Sequence, residues 1–505
     1  MTSRVYRFAP LLLAFALVAC DGGSEDTTDD TTDDTTVDTT DTTDTTEPTD
    51  TDDTDDTDEP VVPTEPIYDV DTKTHPDFDS LFWVRWMQQE NGVSWAEYKL
   101  NDEDGWIAMD QDERRSGANR QLVVGVPYGA TYEYRVVYDD GTVEAPYGMG
   151  TATAPDAPLP LGTPNIELSD PDGWDPDSDY ILGSFNTEGT WGDGKFWTFI
   201  MDREGNYYWA RRSERFNNTT DTFWTIFVRP HWDRDSIIVD EQGGVTFQGD
   251  SNDSKLIRMK LDGTVIEEWA APKMHHAWDY MSEGEIVYGY KYGNSENLTV
   301  INPDRSTYVL WDCTDDWLAL NGQSGSYCRS NTVNYDEATN SVLFSFYSLN
   351  TVAMVNALTG TTITHFGQAV PNGLAFDPPE TVVKWQHGTH FTDAGTVLTS
   401  TQTNGFGSQL WVREYEMDIK NGTMTEIFGF TSNSQVSAHN GSYAGEAHRL
   451  GNGNTLHNFG SGKRLREISA DGNVVWEMSW GGSRMLGRTE FITHEDMRNM
   501  LEPEK

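Results

Sequence analysis

Positive charge and cysteine are both scarce in this sequence. Lys and Arg number 34 against 83 Asp and Glu, for a formal net charge of −49, and three cysteines stand among 505 residues. So acidic a chain is a poor partner for nucleic acid or an anionic membrane surface, because both are held by basic patches. No apolar run approaches the roughly 20 residues that span a bilayer. Nothing resembles a phosphate-binding loop or a dinucleotide fingerprint. No 3.6-residue period is sustained, which argues against a helical solenoid.

What is present begins at the N-terminus. Residues 1–20 read MTSRVYRFAPLLLAFALVAC, with Arg4 and Arg7 as a positive start and Leu11 to Val18 as a short apolar run. Ala19 is the small residue before Cys20, and Leu17 stands two positions before Ala19. This is the pattern of an export signal ending in a lipobox. It predicts cleavage before Cys20, lipid attachment at Cys20, and a folded part held outside the cytoplasm on the periplasmic face or the cell surface, touching the membrane through the lipid alone. The alternative is an ordinary secretory signal with an incidental cysteine. Residues 21–66 follow, rich in Asp and Thr; up to residue 60 they contain no Lys, Arg or aromatic residue. Such a stretch cannot bury enough apolar surface to offset its ordering entropy, and its charges repel, so a disordered, extended tether is expected. With Cys20 lipidated, Cys313 and Cys328 remain, and in an oxidising compartment they predict a disulfide. Two cysteines alone make a poor metal site.

Past the tether the pattern turns to alternating apolar and polar residues broken by Gly, Asp and Asn, the signature of short antiparallel strands. Phe82–Trp86, Ala96–Leu100 and Thr131–Tyr138 are expected strands, the last ending at Asp139-Asp140-Gly141. The stretch from Leu122 through GATYEYRVVY to GTATAP resembles a fibronectin type III module, so residues 67–155 are assigned to a small β-sandwich. A Pro-rich linker spans Ala154–Pro164. Paired turn signals then recur about every 50–60 residues: Gly284 with Asp304, Asp336 with Gly360, Gly395 with Gly422, and Gly453 with Gly472. Four short strands per unit over residues 160–490 predict an all-β fold, a β-propeller of roughly six blades whose eighteen tryptophans fill the spaces between blade faces. Residues 491–505 are left as a C-terminal tail.

Eleven histidines are present, and several stand shortly before the Gly-containing turns. His275 and His276 precede Trp278-Asp279-Tyr280. His387 and His390 lie in WQHGTHFTDAGT, and His448 in EAHRLGNGNTL. If equivalent blade positions line one mouth of the central channel, these imidazoles converge there. The segments MHHAWDYMSEGEIV, VKWQHGTHFTDAGTVL and GEAHRLGNGNTLHNFGSGKRLREISADGNVVWE resemble the bacterial arylsulfate sulfotransferases, and Gly487-Arg488-Thr489-Glu490 is faintly similar to that family's end motif. The resemblance spans most of residues 160–490 and is distant.

The resemblance implies an exported, nucleotide-independent transfer of a sulfuryl group from a phenolic sulfate ester to a phenol, with no cofactor and no metal. His387 would attack sulfur and carry the group as sulfohistidine, splitting one hard step into two. His276 and His275 would bind sulfate or the phenol oxygen, and a second histidine would move the proton. Two positions depart from the family. Arg329 stands where the family has a third catalytic histidine, and Tyr347 where it has an arginine. Arg329 is then the candidate for the missing positive charge, and Tyr347 or His390 for the proton donor. The alternative is a non-catalytic propeller lipoprotein that binds a ligand or an envelope partner, since losing two groups of one catalytic set usually removes most activity. A sulfatase or metal-dependent lactonase finds no support, for want of a nucleophile motif or a carboxylate cage. His448 is read as structural.

Overall fold

In a computed structural model of the chain, the described residues are 64–501, apart from 101–104, 143, 188–195, 214–221, 245–250, 319–327, 369–371 and 483. The expected export signal, Cys20 and nearly all of the tether lie outside them. No helix among the described residues is long and apolar enough to cross a membrane.

The first described strands form two antiparallel sheets. Ile67–Thr74, Phe82–Gln88 and Gly117–Val123 make one; Gly92–Leu100, Thr131–Asp139 and Glu144–Thr153, with two short edge strands, make the other. Side chains of a strand point alternately to its two faces. Phe82, Val84 and Trp86 accordingly turn inward while Trp83, Arg85 and Met87 stay partly exposed. Phe82 stacks on Tyr132 of the facing sheet with ring centroids 4.4 Å apart.

From Asn165 to Ile492 the described residues form six further sheets of four or five strands, antiparallel except for one edge pairing. The ring they make is closed by both ends of this segment. Met485–Ile492 pairs with Tyr180–Asn186 in the first sheet, and Asn165–Ser169 pairs with Val474–Ser479 in the last. The inner strands pack round the axis in chain order: Met274–Tyr280 on Ser330–Asp336, that on His387–Phe391, and that on Glu446–Arg449. The chain is all-β, a β-propeller preceded by a small β-sandwich.

Aromatic residues fill the joints between sheets. Trp311 of the third sheet packs 5.9 Å from both Phe344 and Phe346 of the fourth, and Trp317 stacks on Phe346. Burying each such phenylalanine stabilises the joint by about 1.5–3 kcal/mol. Cys313 and Cys328 are disulfide-bonded, with Cα atoms 6.4 Å apart. In the chain-entropy picture a loop of this length contributes about 3 kcal/mol.

The sandwich and propeller share one apolar core. Phe78 stacks on Trp209 at 5.8 Å, and Trp209 Nε1 donates to the Leu261 carbonyl at 2.8 Å. Residues 491–501, expected as part of a tail, are structured. A helix, His494–Asn499, is capped reciprocally by Thr493 and Asp496, and Met497 and Met500 enter the shared core.

Candidate functional site

A cavity of about 340 Å³ opens where the inner strands approach the axis. That is within the range of small-molecule sites. His275, His276, Arg329, Tyr347 and His387 all border it, so five of the six catalytic and ligand-binding residues expected from the sequence come together. Lys291 and Arg488 join them, and no carboxylate lines the cavity among the described residues.

Local backbone geometry explains the convergence. His275 and His276 are neighbours, which in a regular strand would face opposite ways. His276 has φ +61°, and pairing with the next strand slips between Met274 and Trp278, so both rings reach the cavity. Gln242 holds the turn by accepting from His276 N at 2.7 Å and donating to its carbonyl at 3.1 Å. Trp385, two residues before His387, also has positive φ (+49°), and Asn350 Oδ1 accepts its N–H at 2.7 Å. Such non-glycine outliers cost of order 1–3 kcal/mol and persist where surrounding contacts over-determine them. Gly388 follows His387 at φ +59°, where a Cβ would come within 2.4 Å of Glu446 Cβ. Gly487 before Arg488 is as confined, since its Cβ would fall 1.9 Å from Ser184 Oγ.

His387 Nδ1 lies 3.0 Å from the Trp385 carbonyl. A carbonyl only accepts, so Nδ1 carries the hydrogen and the lone pair sits on Nε2. Burial lowers His387 to a pKa of about 4. Burial, and then the neighbouring His275 and His387, hold His276 well below the usual imidazole range. Both rings are neutral near pH 7. The Tyr347 ring lies parallel to His387 at 6.0 Å and edge-on to His276 at 6.5 Å. Trp385, Phe406 and Tyr443 continue the aromatic wall at ring separations of 6.1, 5.3 and 5.1 Å.

The cations are held in place by oxygen atoms. Arg488 packs 3.9 Å from the Phe227 ring and donates through Nη2 to the Asn331 carbonyl at 3.0 Å. Its Nε is 3.4 Å from Glu446 Oε2. Burial lowers Arg488 to about 10, which leaves it charged. Arg329 follows the disulfide and donates to the Gly293 carbonyl at 2.8 Å and the Cys328 carbonyl at 3.2 Å. Behind the lining, buried Glu296 places Oε1 2.8 Å from His275 Nδ1 and 4.0 Å from Arg329 Nη1.

No family model matches the chain, and no curated protein matches it. Among solved structures it is similar to a protein of unknown function from Bacteroides caccae, at 12% identity over 62% of this chain and 98% of that one, with a TM-score of 0.40. It is also similar to an auxiliary nutrient binding protein from Bacteroides ovatus (10%, 87% and 98%, TM-score 0.36) and to a streptogramin B lyase (13%, 63% and 88%, TM-score 0.36). Likeness this low carries no argument about function. The propeller assignment rests on the sheets themselves, and the sulfotransferase resemblance on the sequence motifs.

His390 falls elsewhere. It lines a second cavity with His448, and the two rings stack at 5.2 Å. His390 stands three residues beyond His387 on one inner strand, past a slip in that strand's pairing with the next. His448 Nε2 lies 3.1 Å from Glu446 Oε2, as a structural histidine would. Arg488 borders both cavities. Sequence reasoning did not place Arg488, Lys291 or Glu296 in the site. Only Arg488 had a signal, the faint end motif at 487–490. One cluster of metal-ligand type, His231 with Asp233 and Asp235, lines neither cavity, and Arg258 is paired to both aspartates at 3.1 and 2.7 Å.

Proposed function

We propose that this protein is an exported, lipid-anchored arylsulfate sulfotransferase of the propeller type. It would move a sulfuryl group from a phenolic sulfate ester to a phenol through a sulfohistidine at His387. The observation that carries the reading is the lining of the first cavity: in a chain of net charge −49, three cations, neutral histidines and a run of aromatic rings meet there, with no carboxylate among the described residues. An anion with an aromatic body fits that chemistry. His387 Nε2 attacks sulfur and the donor's S–O bond breaks. Arg329, Arg488 and Lys291 stabilise the charge on the sulfuryl oxygens, as preorganised donors do at developing oxyanions. The incoming phenol then takes the group and restores His387. No nucleotide, metal or other cofactor enters this scheme, which suits work outside the cytoplasm.

The test is to incubate the purified protein with 4-nitrophenyl sulfate and a phenol acceptor. Acceptor-dependent release of 4-nitrophenol that vanishes in His387→Ala supports the transferase. A second reading is favoured by Arg329 and Tyr347 at the positions where the family has His and Arg: a propeller that binds an aromatic anion without turning it over. Saturable binding of 4-nitrophenyl sulfate with no release from the folded protein would decide for that reading.

A further inference from the structure

We infer that Phe406, with Tyr443 beside it, selects the aryl body of the sulfate ester and favours two fused rings over one. The inference rests on reading the first cavity as an aryl sulfate site, a reading common to the transferase and to the propeller that binds without turnover. The charged residues and histidines of the lining are buried or half-buried. Two of its aromatic residues are not: Phe406 is 50% exposed and Tyr443 43%. Single exposed rings are ordinary. These two pack edge to face at a ring separation of 5.1 Å and continue the cavity wall, which is how an apolar ligand surface is built.

Both rings are placed by their backbones. Phe406 lies in the turn between Val397–Gln402 and Leu410–Asp418 of the fifth propeller sheet, flanked by Gly405 at φ +130° and Gly407 at φ +79°. Only glycine adopts these values without strain. Gly407 N donates to Gln402 Oε1 at 2.7 Å and Ser408 N to the Gly405 carbonyl at 3.1 Å, so the turn is tied across its base. Tyr443 stands just before Glu446–Arg449 of the last sheet. Ser461 holds its backbone on both sides: Oγ accepts from Tyr443 N at 3.1 Å, and Ser461 N donates to the Tyr443 carbonyl at 2.9 Å. Two loops from different sheets thus bring rings together at the mouth without burying them. Inward from them the rings run in order. Phe406 packs against Trp385, Trp385 lies next to Tyr347, and Tyr347 lies parallel to His387. A donor whose sulfur meets His387 sets its first ring beside Tyr347, and a second fused ring extends towards Phe406 and Tyr443. A cavity of about 340 Å³ suits a ligand larger than a single phenol. Offset or edge-on contact between rings adds attraction beyond the burial of apolar area.

The experiment measures binding alone, by calorimetric titration of the full-length protein with benzenesulfonate and with naphthalene-2-sulfonate. Neither carries an S–O ester bond to break, so affinity is read without chemistry. The wild type should bind naphthalene-2-sulfonate about tenfold more tightly than benzenesulfonate. Phe406→Ala should bring the two within about twofold by weakening the naphthalene ligand, and Phe406→Trp should keep the preference. Phe406 is half exposed, so neither replacement disturbs the core. Equal wild-type affinities, or a preference untouched by Phe406→Ala, would overturn the inference. Failure of both sulfonates to bind would overturn the aryl sulfate reading of the cavity and the inference with it. The expected preference together with no release from 4-nitrophenyl sulfate would remove the transferase and leave the role of Phe406 standing.

Discussion

The two cavities that meet at Arg488 handle charge in opposite ways. In the second, cations are matched by nearby carboxylates: Arg229 with Asp279 and Glu490, Arg234 with Asp496, Arg449 with Glu414. In the first, Arg329 is steadied mainly by carbonyl oxygens, and no carboxylate lines the cavity among the described residues. Matched charges satisfy one another and hold strands together. Cations set among carbonyls keep much of their field for whatever enters. Glu446 stands at the boundary. Burial alone would raise its carboxyl, but His448 and Arg488 outweigh that and keep it below the ordinary range.

The largest effect that would sharpen this contrast is at His387. On the sulfotransferase reading, its replacement by Ala should lower acceptor-dependent 4-nitrophenol release by at least about 10⁴-fold, since a nucleophile and its partners act as a unit. The wild-type rate should also fall as pH drops through about 4, because protonation there removes the Nε2 lone pair. Next, Arg488→Met should cost about 10²–10³-fold in kcat, the usual loss on removing one oxyanion donor; an unchanged kcat in a folded variant would break the contrast. Cys313→Ser with Cys328→Ser should lower unfolding stability by about 3 kcal/mol in denaturant titration and raise KM for the sulfate ester, because Arg329 directly follows the bridge. Smallest is Arg449→Met in the second cavity, which should cost about 1–3 kcal/mol by leaving Glu414 Oε2 without its arginine while Oε1 keeps the Thr396 hydroxyl, and leave turnover unchanged. A loss of turnover there would erase the distinction between the cavities.

The fold was largely legible because period-2 alternation and Gly-containing turns are local signals. Phe82–Trp86 and Thr131–Tyr138 both lie within observed strands. The Cys313–Cys328 bridge was legible once Cys20 was read as the lipid-attachment residue, which left one pair to join. The site was legible where a histidine stood at a repeated place before a turn. His390 misled because its nearness to His387 in sequence hides the three-residue step along a strand. Glu296 looks like any strand residue, and what singles it out is complete enclosure close to His275, an approach made across an intervening strand of the same sheet. Arg488 belongs to the last strand of the chain but the first sheet of the ring, a relation no local pattern carries.

That closure has a consequence for the protein's assembly. Met485–Ile492 is the last strand to be synthesised, and it brings Arg488 with it. A chain cut or halted before residue 485 would lack both the seam strand and a cation of the cavity. Function is thereby made conditional on completeness. The final strand couples completion of the cavity to the sealing of the ring.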